Sequence, residues 1–368
     1  MNILGIETSC DESAAAVVTA DRDGRDGRLG RMVVRSSVVA TQFDLHREYD
    51  GVVPEIASRA HLERILPVIQ GALAESQLTF EAIDAIAVGH RPGLIGSLLV
   101  GVSAAKALAW SLSKPLLGVD HIAAHLTAGL LDADPPRWPA LGLVASGGHT
   151  SLFLLEAPGS LTLLGRTIDD AVGEAFDKVG TLLGLPYPGG PAIDRLAAQG
   201  NDRAFDFPIS LPRRDSLDFS FSGLKTAVLY EVRPPTRRGR GGEVIEPVER
   251  LERTLSDSRR ADLAASFQRA AIGALMRKLE LAHASHPTPT LLVGGGVTAN
   301  SRLRAELAAF AGSRSLDLRL PKLAYCIDNA AMIAGAAAPR ALRGERDDLD
   351  LAPCAVSAVS SRGRRLER

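Results

Sequence analysis

Short apolar segments alternate along this chain with Gly-rich or polar turns and with stretches of helical periodicity. Five of the apolar segments have the length and composition of β-strands, namely residues 3–6, 85–88, 116–119, 141–145 and 291–293. Strands that alternate with helices are typical of α/β proteins, so the pattern predicts central sheets accompanied by helices.

The same pattern locates two helices. The first begins at Pro54, and its large apolar residues recur at helical spacing: Ile56, Leu62, Leu66, Ile69 and Leu73. The second runs from about Ser97 to Ser113 and opens behind the Gly-spaced segment RPGLIGSLLVG.

An internal repeat links the two halves of the chain. Residues 3–18, ILGIETSCDESAAAVV, align without a gap on residues 140–155, ALGLVASGGHTSLFLL. The identical pairs are Leu4/Leu141, Gly5/Gly142 and Ser9/Ser146. Both segments have the pattern of strand, small polar turn and strand. The repeat predicts two similar lobes whose turns face a shared cleft, although two unrelated hairpins would also account for it.

Composition and charge exclude several classes of protein. The 368 residues are 46% apolar, which is enough for two domains with a core. Lys and Arg number 42 against 43 Asp and Glu, so a formal charge of -1 provides no general attraction for nucleic acid. Aromatic residues make up only 4%, which argues against a platform for base stacking.

The sequence shows no signal peptide and no membrane segment. Carboxylates from Glu7 onwards interrupt the first apolar run, and the longest uncharged helical stretch, between Arg91 and Lys106, is too short to cross a bilayer. Three scattered cysteines suit a reducing compartment without disulfides. We therefore expect a soluble, cytoplasmic protein.

The segment DHIAAH places His121 and His125 at positions i and i+4, on one face of a helix start. Two imidazoles so placed can share one metal ion, but ordinary surface or capping histidines are an equal alternative. Ile122 stands where the HExxH motif of zinc peptidases has its general-base Glu. Asp328 could complete a site suited to Fe(II), or it could simply cap the Ala-rich helix that follows it.

Three Gly-rich segments favour a nucleotide cleft. VASGGHTS (144–151) and GGGVTANSRLR (294–304) each follow a predicted strand, so their backbone amides can approach an anion. YPGGP (187–191) is predicted to be a rigid turn able to lie flat against a planar ligand. Glu174 and Asp177, one turn apart on a predicted helix, could meet ribose hydroxyls or a metal, or could form a solvated face.

Disorder is predicted for residues 233–260. The part RPPTRRGRGG (233–242) carries four Arg and no acid, and the charged stretch continues to residue 260. The tail SRGRRLER (361–368) and the hairpin tip DRDGRDGR (21–28) are expected to be solvated in the same way, with contact to RNA phosphates as the alternative.

Residues 211–228, LPRRDSLDFSFSGLKTAV, could form a local RNA patch. The basic and aromatic residues of this segment are Arg213, Arg214, Phe219, Phe221 and Lys225. A strand edge with ordinary charges is the competing interpretation.

Nine segments, in order along nearly the whole chain, resemble the tRNA N6-adenosine threonylcarbamoyltransferase family in its bacterial form. They are MNILGIETSCDESAAAVV, HREYDGVVPEIASRAH, HRPGLIGSLLVG, GVDHIAAH, LVASGGHT, DDAVGEAFDKVGTLLGLPYPGGP, DFSFSGLKTAV, GGGVTANSRLR and YCIDNAAMIA.

The resemblance implies an α/β fold of two duplicated lobes, of the actin, Hsp70 and sugar-kinase type, with a ligand cleft between them. The first lobe would comprise residues 1–130 and 325–345, the second residues 131–324 with the insert at 233–260, and residues 346–368 would form a C-terminal tail. The insert and the basic tail depart from the family pattern and inherit no function from it.

The resemblance also implies the site residues. His121, His125 and Asp328 would hold one Fe(II) ion per subunit, with zinc or another divalent metal as alternatives. The substrate, L-threonylcarbamoyl-AMP, would contact Val144, Ala145, Ser146, Gly147, Gly148, Asp177, Gly190, Asp194 and Asn300. Asp11 and Glu12, in the first turn, would lie in the cleft, and either could accept a proton during catalysis.

The implied reaction transfers the threonylcarbamoyl group to N6 of adenosine 37, in tRNAs that read codons beginning with A, and releases AMP. Implied partners are the tRNA anticodon loop, a smaller inactive paralogue of the same fold as heterodimer partner, and a P-loop ATPase, with no membrane. A metal-dependent endopeptidase lacks the Glu of its motif, and an ATP-dependent sugar kinase or chaperone ATPase of the same fold would not need the two histidines and Asp328. A non-catalytic scaffold would leave the cleft motifs unexplained.

Overall fold

The computed structural model describes residues 1–22, 29–46, 49, 51–209, 216–233, 237–238, 244–245 and 255–358. Its strands are β1 (Asn2–Glu7), β2 (Glu12–Arg22), β3 (Leu29–Thr41), β4 (Ala85–Arg91), β5 (Leu116–Asp120), β6 (Ala140–Ala145), β7 (Thr150–Leu155), β8 (Thr162–Arg166), β9 (Arg237–Arg238), β10 (Val244–Ile245), β11 (Thr290–Gly294) and β12 (Asp317–Arg319). Its α-helices are α1 (Phe43–His46), α2 (Pro54–Ser76), α3 (Ile95–Ser111), α4 (His121–Thr127), α5 (Val172–Leu182), α6 (Gly189–Ala197), α7 (Ser222–Val232), α8 (Asp257–Ser285), α9 (Ser301–Arg314) and α10 (Ala330–Leu342). Within these ranges, none of the helices has both the length and the apolar composition that a bilayer span requires.

Two five-stranded sheets share one arrangement. The first has the order β3-β2-β1-β4-β5 and the second the order β8-β7-β6-β11-β12. In each sheet three antiparallel strands are followed by two parallel ones. The register repeats as well, because Leu4 pairs with Val17 in the first hairpin and Leu141 with Leu154 in the second. The predicted α/β fold of two duplicated lobes is therefore confirmed.

The predicted elements are present with small changes of length. Each of the five predicted strands is extended by one to three residues, and the helix predicted at Pro54 begins there. The second helix starts at Ile95 and ends at Ser111, two residues earlier than predicted at each end. Leu62 and Leu66 were expected on a regular apolar face, yet they are 66% and 60% exposed. α2 instead packs its smaller residues and isoleucines on the first sheet.

The two lobes meet through two helices. α4 contacts β5 of the first sheet and also β6 and β11 of the second, while α10 packs across the first sheet and against α4. Gly5 of β1 allows the closest approach, because a Cβ there would collide with the carbonyl oxygen of Ala330 and lie 2.9 Å from the nitrogen of Ala334. This packing holds the start of α10 near the carboxyl end of β1.

The predicted RNA patch is wrong for the residues that the structure describes. Phe219 and Phe221 are buried in the core of the second lobe, so their rings cannot stack on bases. Lys225 forms an ion pair with Asp170 at 2.8 Å. Arg213 and Arg214 lie outside the described residues.

Other segments that were expected to be solvated lie partly outside the described residues. These are most of 21–28 and of the insert 233–260, and all of the tail 361–368. The end of the insert differs from the prediction of disorder, since Asp257–Arg260 form the first turn of α8 and Ser256 caps that helix. The cysteines Cys10, Cys326 and Cys354 are free, as expected.

Replacing Gly5 by Ala is expected to lower the free energy of unfolding by about 2–3 kcal/mol, because the new methyl group meets the rigid backbone of α10. Gly142, its counterpart in the repeat, faces the side-chain methyl groups of Leu126 and Leu155, so Gly142→Ala should cost less. Gly312→Ala on α9, where a Cβ has open space, is the control and should be neutral or slightly stabilising. Urea unfolding measures all three, and equal effects for Gly5 and Gly312 would contradict the close packing.

Candidate functional site

Three side chains from two elements meet where the first sheet ends. His121 and His125 lie one turn apart on α4, and their ring centroids are 4.6 Å apart. Asp328 Oδ1 lies 3.4 Å from Nε2 of each histidine. One donor atom of each residue lies within 4.8 Å of the other two. The fold therefore brings Asp328 against two histidines that are far from it in the sequence.

The alternative role of Asp328 as a helix cap is wrong. α10 begins at Ala330, and the cap is Asn329, whose Oδ1 accepts a hydrogen bond from the nitrogen of Met332 at 3.0 Å. Because the neighbouring Asn caps the helix, the Asp328 carboxylate lies against the histidines.

The donor atoms of this group fit a divalent cation. His125 is fully buried, yet neither of its ring nitrogens makes a hydrogen bond within the described part of the chain. Burying a polar atom without a partner is costly, and a neutral imidazole nitrogen is a common metal ligand. Two histidines and one carboxylate suit Fe(II) and similar ions and leave coordination positions open. His121, His125 and Asp328 could therefore bind a metal.

A buried carboxylate orients one of these histidines. Glu7, at the end of β1, is fully buried, and its Oε2 lies 3.1 Å from His121 Nδ1. The hydroxyl of Ser9 also lies 3.1 Å from this nitrogen. Gly89 of β4 leaves room for Glu7, since a Cβ there would lie 2.5 Å from Oε2. A carboxylate behind a metal-binding histidine fixes the tautomer and the ring orientation. Sequence reasoning missed Glu7, although a charged residue at the end of an apolar strand was a usable signal.

The electrostatics of the group depend on burial and on the two carboxylates. Burial disfavours a charge on His121, but attraction to Asp328 and Glu7 outweighs it and raises the pKa of this imidazole. Burial, together with the charge of His121, lowers the pKa of His125 to about 3. The same two causes lower the pKa of His149 to about 4. Burial opposes the charge of Asp328, yet His121 holds its pKa below the usual range.

The first turn places two more carboxylates beside this group. Asp11 and Glu12 are both 5% exposed. Burial, then the charges of Asp328 and Asp11, raises the pKa of Glu12 well above its usual value. Asp11 also contributes to raising the pKa of Asp177 and of Tyr187 in the second lobe, where burial is the main cause. The turn therefore faces the second lobe.

The turn between β6 and β7 presents backbone rather than side chains. Val144 and Ala145 are fully buried at the end of β6. Ser146 closes the turn, because its nitrogen donates to the carbonyl of His149 at 2.8 Å and its hydroxyl accepts from the nitrogen of His149 at 3.2 Å. A Cβ at Gly147 or Gly148 would meet no atom within 4 Å. The turn thus has open space over its two glycines.

Asp177 fixes the start of α6. Its Oδ1 accepts a hydrogen bond from the nitrogen of Gly189 at 2.7 Å. The segment YPGGP is accordingly not a turn throughout, since α6 begins at Gly189 and includes Gly190. Glu174 does not join Asp177, because it lies on the surface in an ion pair with Lys178 at 2.7 Å. The solvated-face interpretation is therefore correct for Glu174.

Asp194 and Asn300 meet at the start of α9. Asp194 accepts hydrogen bonds from the nitrogen and the hydroxyl of Ser301 at 3.0 and 2.8 Å. Asn300 Oδ1 accepts from the nitrogen of Leu303 at 3.0 Å, and its Nδ2 donates to Gln268 Oε1 at 3.1 Å. A cavity of about 190 Å³ opens beside them, and the polar residues lining it are Asp194, Asp202, Gln268, Ser301 and Arg302.

Two glycines join the His-His-Asp group to the second lobe. Gly294, the last residue of β11, lies directly under α4, since a Cβ there would collide with the carbonyl oxygen of His125. Gly295 has φ 96°, and a Cβ there would likewise collide with the carbonyl oxygen of Ala145. Backbone contact at both positions puts α4 beside the turn that follows β6.

Comparison with solved structures defines the class of fold. HypF from T. kodakarensis superposes with a TM-score of 0.56 at 15% identity, over 95% of this chain and 49% of that protein. Full-length HypF in a phosphate- and nucleotide-bound form gives 0.55 at 12% identity, over 95% and 47%. The chain therefore has the two-lobed fold of the actin, Hsp70 and sugar-kinase class, and identities this low concern the fold alone.

Comparison of sequences defines the family. The family model for tRNA N6-adenosine threonylcarbamoyltransferase matches residues 33–335. Curated proteins of that name are 50% identical in Symbiobacterium thermophilum, over 95% of this chain and 94% of the relative, and 47% identical in Protochlamydia amoebophila, over 98% and 99%. The chain belongs to the tRNA N6-adenosine threonylcarbamoyltransferase family and is a transferase. The resemblance read from the sequence is thus confirmed, and the endopeptidase and kinase alternatives are not favoured.

Metal binding is expected to release a proton and to weaken as the pH falls. Asp328 and Glu7 raise the pKa of His121 against the effect of burial, so the metal-free protein carries a proton there that a cation must displace. Below the raised pKa, affinity should fall about tenfold for each pH unit. Calorimetric titration with Co²⁺ in two buffers of different ionisation enthalpy counts the released protons. Binding that is independent of both pH and buffer would contradict this account.

Proposed function

We propose that this protein transfers the threonylcarbamoyl group of L-threonylcarbamoyl-AMP to N6 of adenosine 37, in tRNAs that read codons beginning with A. The products are N6-threonylcarbamoyladenosine and AMP. The observation that carries the proposal is the kinship with transferases of this name over nearly the full length of both chains. The close contacts of Gly294 with His125 and of Gly295 with Ala145 support it, since they put the His-His-Asp group beside the turn that follows β6.

The second lobe holds the adenylate in this proposal. The backbone amides of Gly147 and Gly148 meet the phosphate, because bare glycine amides approach an anion closely. Ser146, whose nitrogen is bonded to His149, closes the turn that presents them. Asp194 accepts hydrogen bonds from ribose hydroxyls beside the cavity, and Asn300 keeps the start of α9 in place. Asp177 of α5 and Gly190 of α6 contact the substrate in this proposal. Val144 and Ala145 contribute through their backbone.

The chemical step is a displacement at the carbamoyl carbon. The N6 amine attacks this carbon, the bond to the phosphate oxygen breaks, and AMP leaves with the bonding electrons. Because AMP is a good leaving group, the protein acts mainly by positioning and by stabilising charge. Glu12 or Asp11 accepts the proton that the amine loses. The raised pKa of Glu12 supports this role, since a buried carboxylate is a stronger base.

His121, His125 and Asp328 hold one Fe(II) ion per subunit in this proposal, or zinc or another divalent metal. A bound ion of this kind supplies a Lewis acid and a template for the adenylate. Glu7 keeps the His121 ring in position, and both histidines are buried.

Transfer should require the His-His-Asp group. We expect His121→Ala to slow formation of N6-threonylcarbamoyladenosine by about 100-fold or more, because Lewis-acid stabilisation contributes several kcal/mol. His286→Ala, in the loop after α8, is the matched control and should leave the rate unchanged. The measurement is mass spectrometry of nucleosides from tRNA incubated with threonylcarbamoyl-AMP, this protein and its partners. Absence of the modified nucleoside with the unaltered protein would overturn the assignment.

The tRNA substrate follows from the enzyme family, and we propose two protein partners beyond it: a smaller inactive paralogue that forms a heterodimer, and a P-loop ATPase. Two adjacent helices support the heterodimer, because each presents an apolar pair to solvent. The pairs are Leu62 and Leu66 on α2, and Ile95 and Leu99 on α3. Exposed apolar patches of this kind mark interaction surfaces.

The double variant Leu66→Glu/Leu99→Glu should weaken heterodimer formation by at least about tenfold, since it puts charge into an apolar contact. Ile168→Glu is the control, because Ile168 is similarly exposed, at 64%, on the other lobe. Analytical ultracentrifugation with the purified paralogue measures both, and an unchanged association constant for the double variant would reject this surface.

We propose the lobe boundaries in the same way, with residues 1–130 and 325–345 in the first lobe and 131–324 in the second. The packing of α10 on the first sheet supports the return of the chain to the first lobe. Since the proposed substrate is tRNA, we place the reaction in the cytoplasm.

A further inference from the structure

The segment that follows α10 lies along the edge of the first sheet. We name residues 347–358 the C-terminal strap. It begins at β5, the edge strand, where the nitrogen of Asp347 donates to the carbonyl of Leu116 at 2.8 Å. The nitrogen of Gly118 donates in turn to Asp347 Oδ2 at 2.7 Å. Arg340 of α10 also reaches both Asp347 and the carbonyl of Gly118.

The middle of the strap covers β5 and reaches β4. Leu351 packs over Gly118, where a Cβ would lie 2.8 Å from its Cδ1. The nitrogen of Cys354 donates to the carbonyl of His90 at 2.9 Å, and His90 Nδ1 lies 3.1 Å from the carbonyl of Ala352. An edge strand has unpaired backbone groups that need a partner or a cover. The strap provides both along β5.

The strap ends at the residue that caps α4. Asp120 Oδ2 accepts hydrogen bonds from the hydroxyl of Ser357 at 2.6 Å and from the nitrogen of Ala358 at 3.2 Å. Asp120 Oδ1 accepts from the nitrogens of Ile122 and Ala123, at 3.0 and 3.4 Å. One carboxylate oxygen therefore holds the helix, and the other holds the strap.

The contact between Ser357 and Asp120 matters because Asp120 lies at the start of α4, the helix that carries both histidines. α4 has only 7 residues, and a helix of this length is not stable without its surroundings. Asp120 immediately precedes His121 and is 7% exposed, so its carboxylate needs hydrogen-bond partners. The second oxygen of Asp120 is bonded to Ser357 and lies 3.6 Å from Nε of Arg91, and these contacts hold the carboxylate in the orientation from which it caps the helix. The strap thus restrains the backbone from which both histidines project.

We propose that the C-terminal strap is a positioning element for the metal-binding helix, and that Ser357 acts through Asp120 to hold His121 and His125 in the geometry that binds a cation. The inference rests on the metal site given under the proposed function. It assigns a role to the part of the chain after α10, for which the family resemblance implies none.

The test uses the full-length chain with substitutions at Ser357. Ser357→Ala should weaken Co²⁺ binding about 3- to 10-fold, which is less than the 10- to 100-fold typical of residues that touch a metal ligand directly. Ser357→Asp should weaken it more, because it sets a second carboxylate against Asp120. Ser357→Thr keeps the hydroxyl and should bind within about twofold of the unaltered protein. Ser285→Ala, which removes a hydroxyl bonded to its own helix, is the matched control.

A second measurement does not need the metal. In the metal-free protein, hydrogen exchange at the amides of Ile122 and Ala123 should become about tenfold faster in Ser357→Ala, while the urea midpoint of unfolding stays the same. Unchanged Co²⁺ affinity together with unchanged exchange at these amides would overturn the role of the strap. If the unaltered protein fails to bind Co²⁺, the metal site itself is rejected, and the exchange rates still decide whether the strap holds α4.

Discussion

The contact between α4 and the second sheet is the constraint on which the site depends. The carbonyl oxygen of His125 lies so close to Gly294 that a side chain there would push the helix away. Because α4 also carries His121, any such shift would move the histidines relative to Asp328 and relative to the turn after β6. Each lobe has its own sheet, but the site forms only where the backbone of α4 touches the backbone of β11 at Gly294. Glycine is required here for close approach, and Gly295 beside it adds a positive φ.

Burial makes the charges of the site interdependent. Burial opposes the charge of Asp328, and this residue keeps a low pKa chiefly because His121 is beside it, with smaller effects of His125 and His149. His121 in turn holds its charge because Asp328 and Glu7 outweigh its burial, whereas His125, with no hydrogen bond within the described residues, has a lowered pKa. Such an arrangement is costly without a cation, and a divalent ion would satisfy both histidines and the carboxylate at once.

Local patterns predicted the fold well, and the site only in part. Strand periodicity and the repeat gave the two sheets, because both depend on neighbours in the chain. The i, i+4 spacing likewise put His121 and His125 on one helix face. Contacts between distant residues carry no such local signal, so spacing alone could not decide whether Asp328 caps a helix or faces the histidines, and the resemblance supplied that expectation. The partners of Glu7 and Ser357 were missed for the same reason, since each lies more than 100 residues away, although the position of Glu7 at the end of a strand was itself a local signal.

The duplication also explains how one cleft combines opposite chemistries. The two hairpins have the same register, so their turns occupy equivalent places in the two lobes. In the first turn the carboxylate Asp11 occupies the place of Gly148 in the second, Cys10 that of Gly147, and the next carboxylate, Glu12, that of His149. Carboxylates repel an anion and can take up a proton, while bare glycine amides attract an anion. In the proposed reaction an anionic donor molecule would therefore bind at the second lobe, and proton transfer and metal binding would fall to the first.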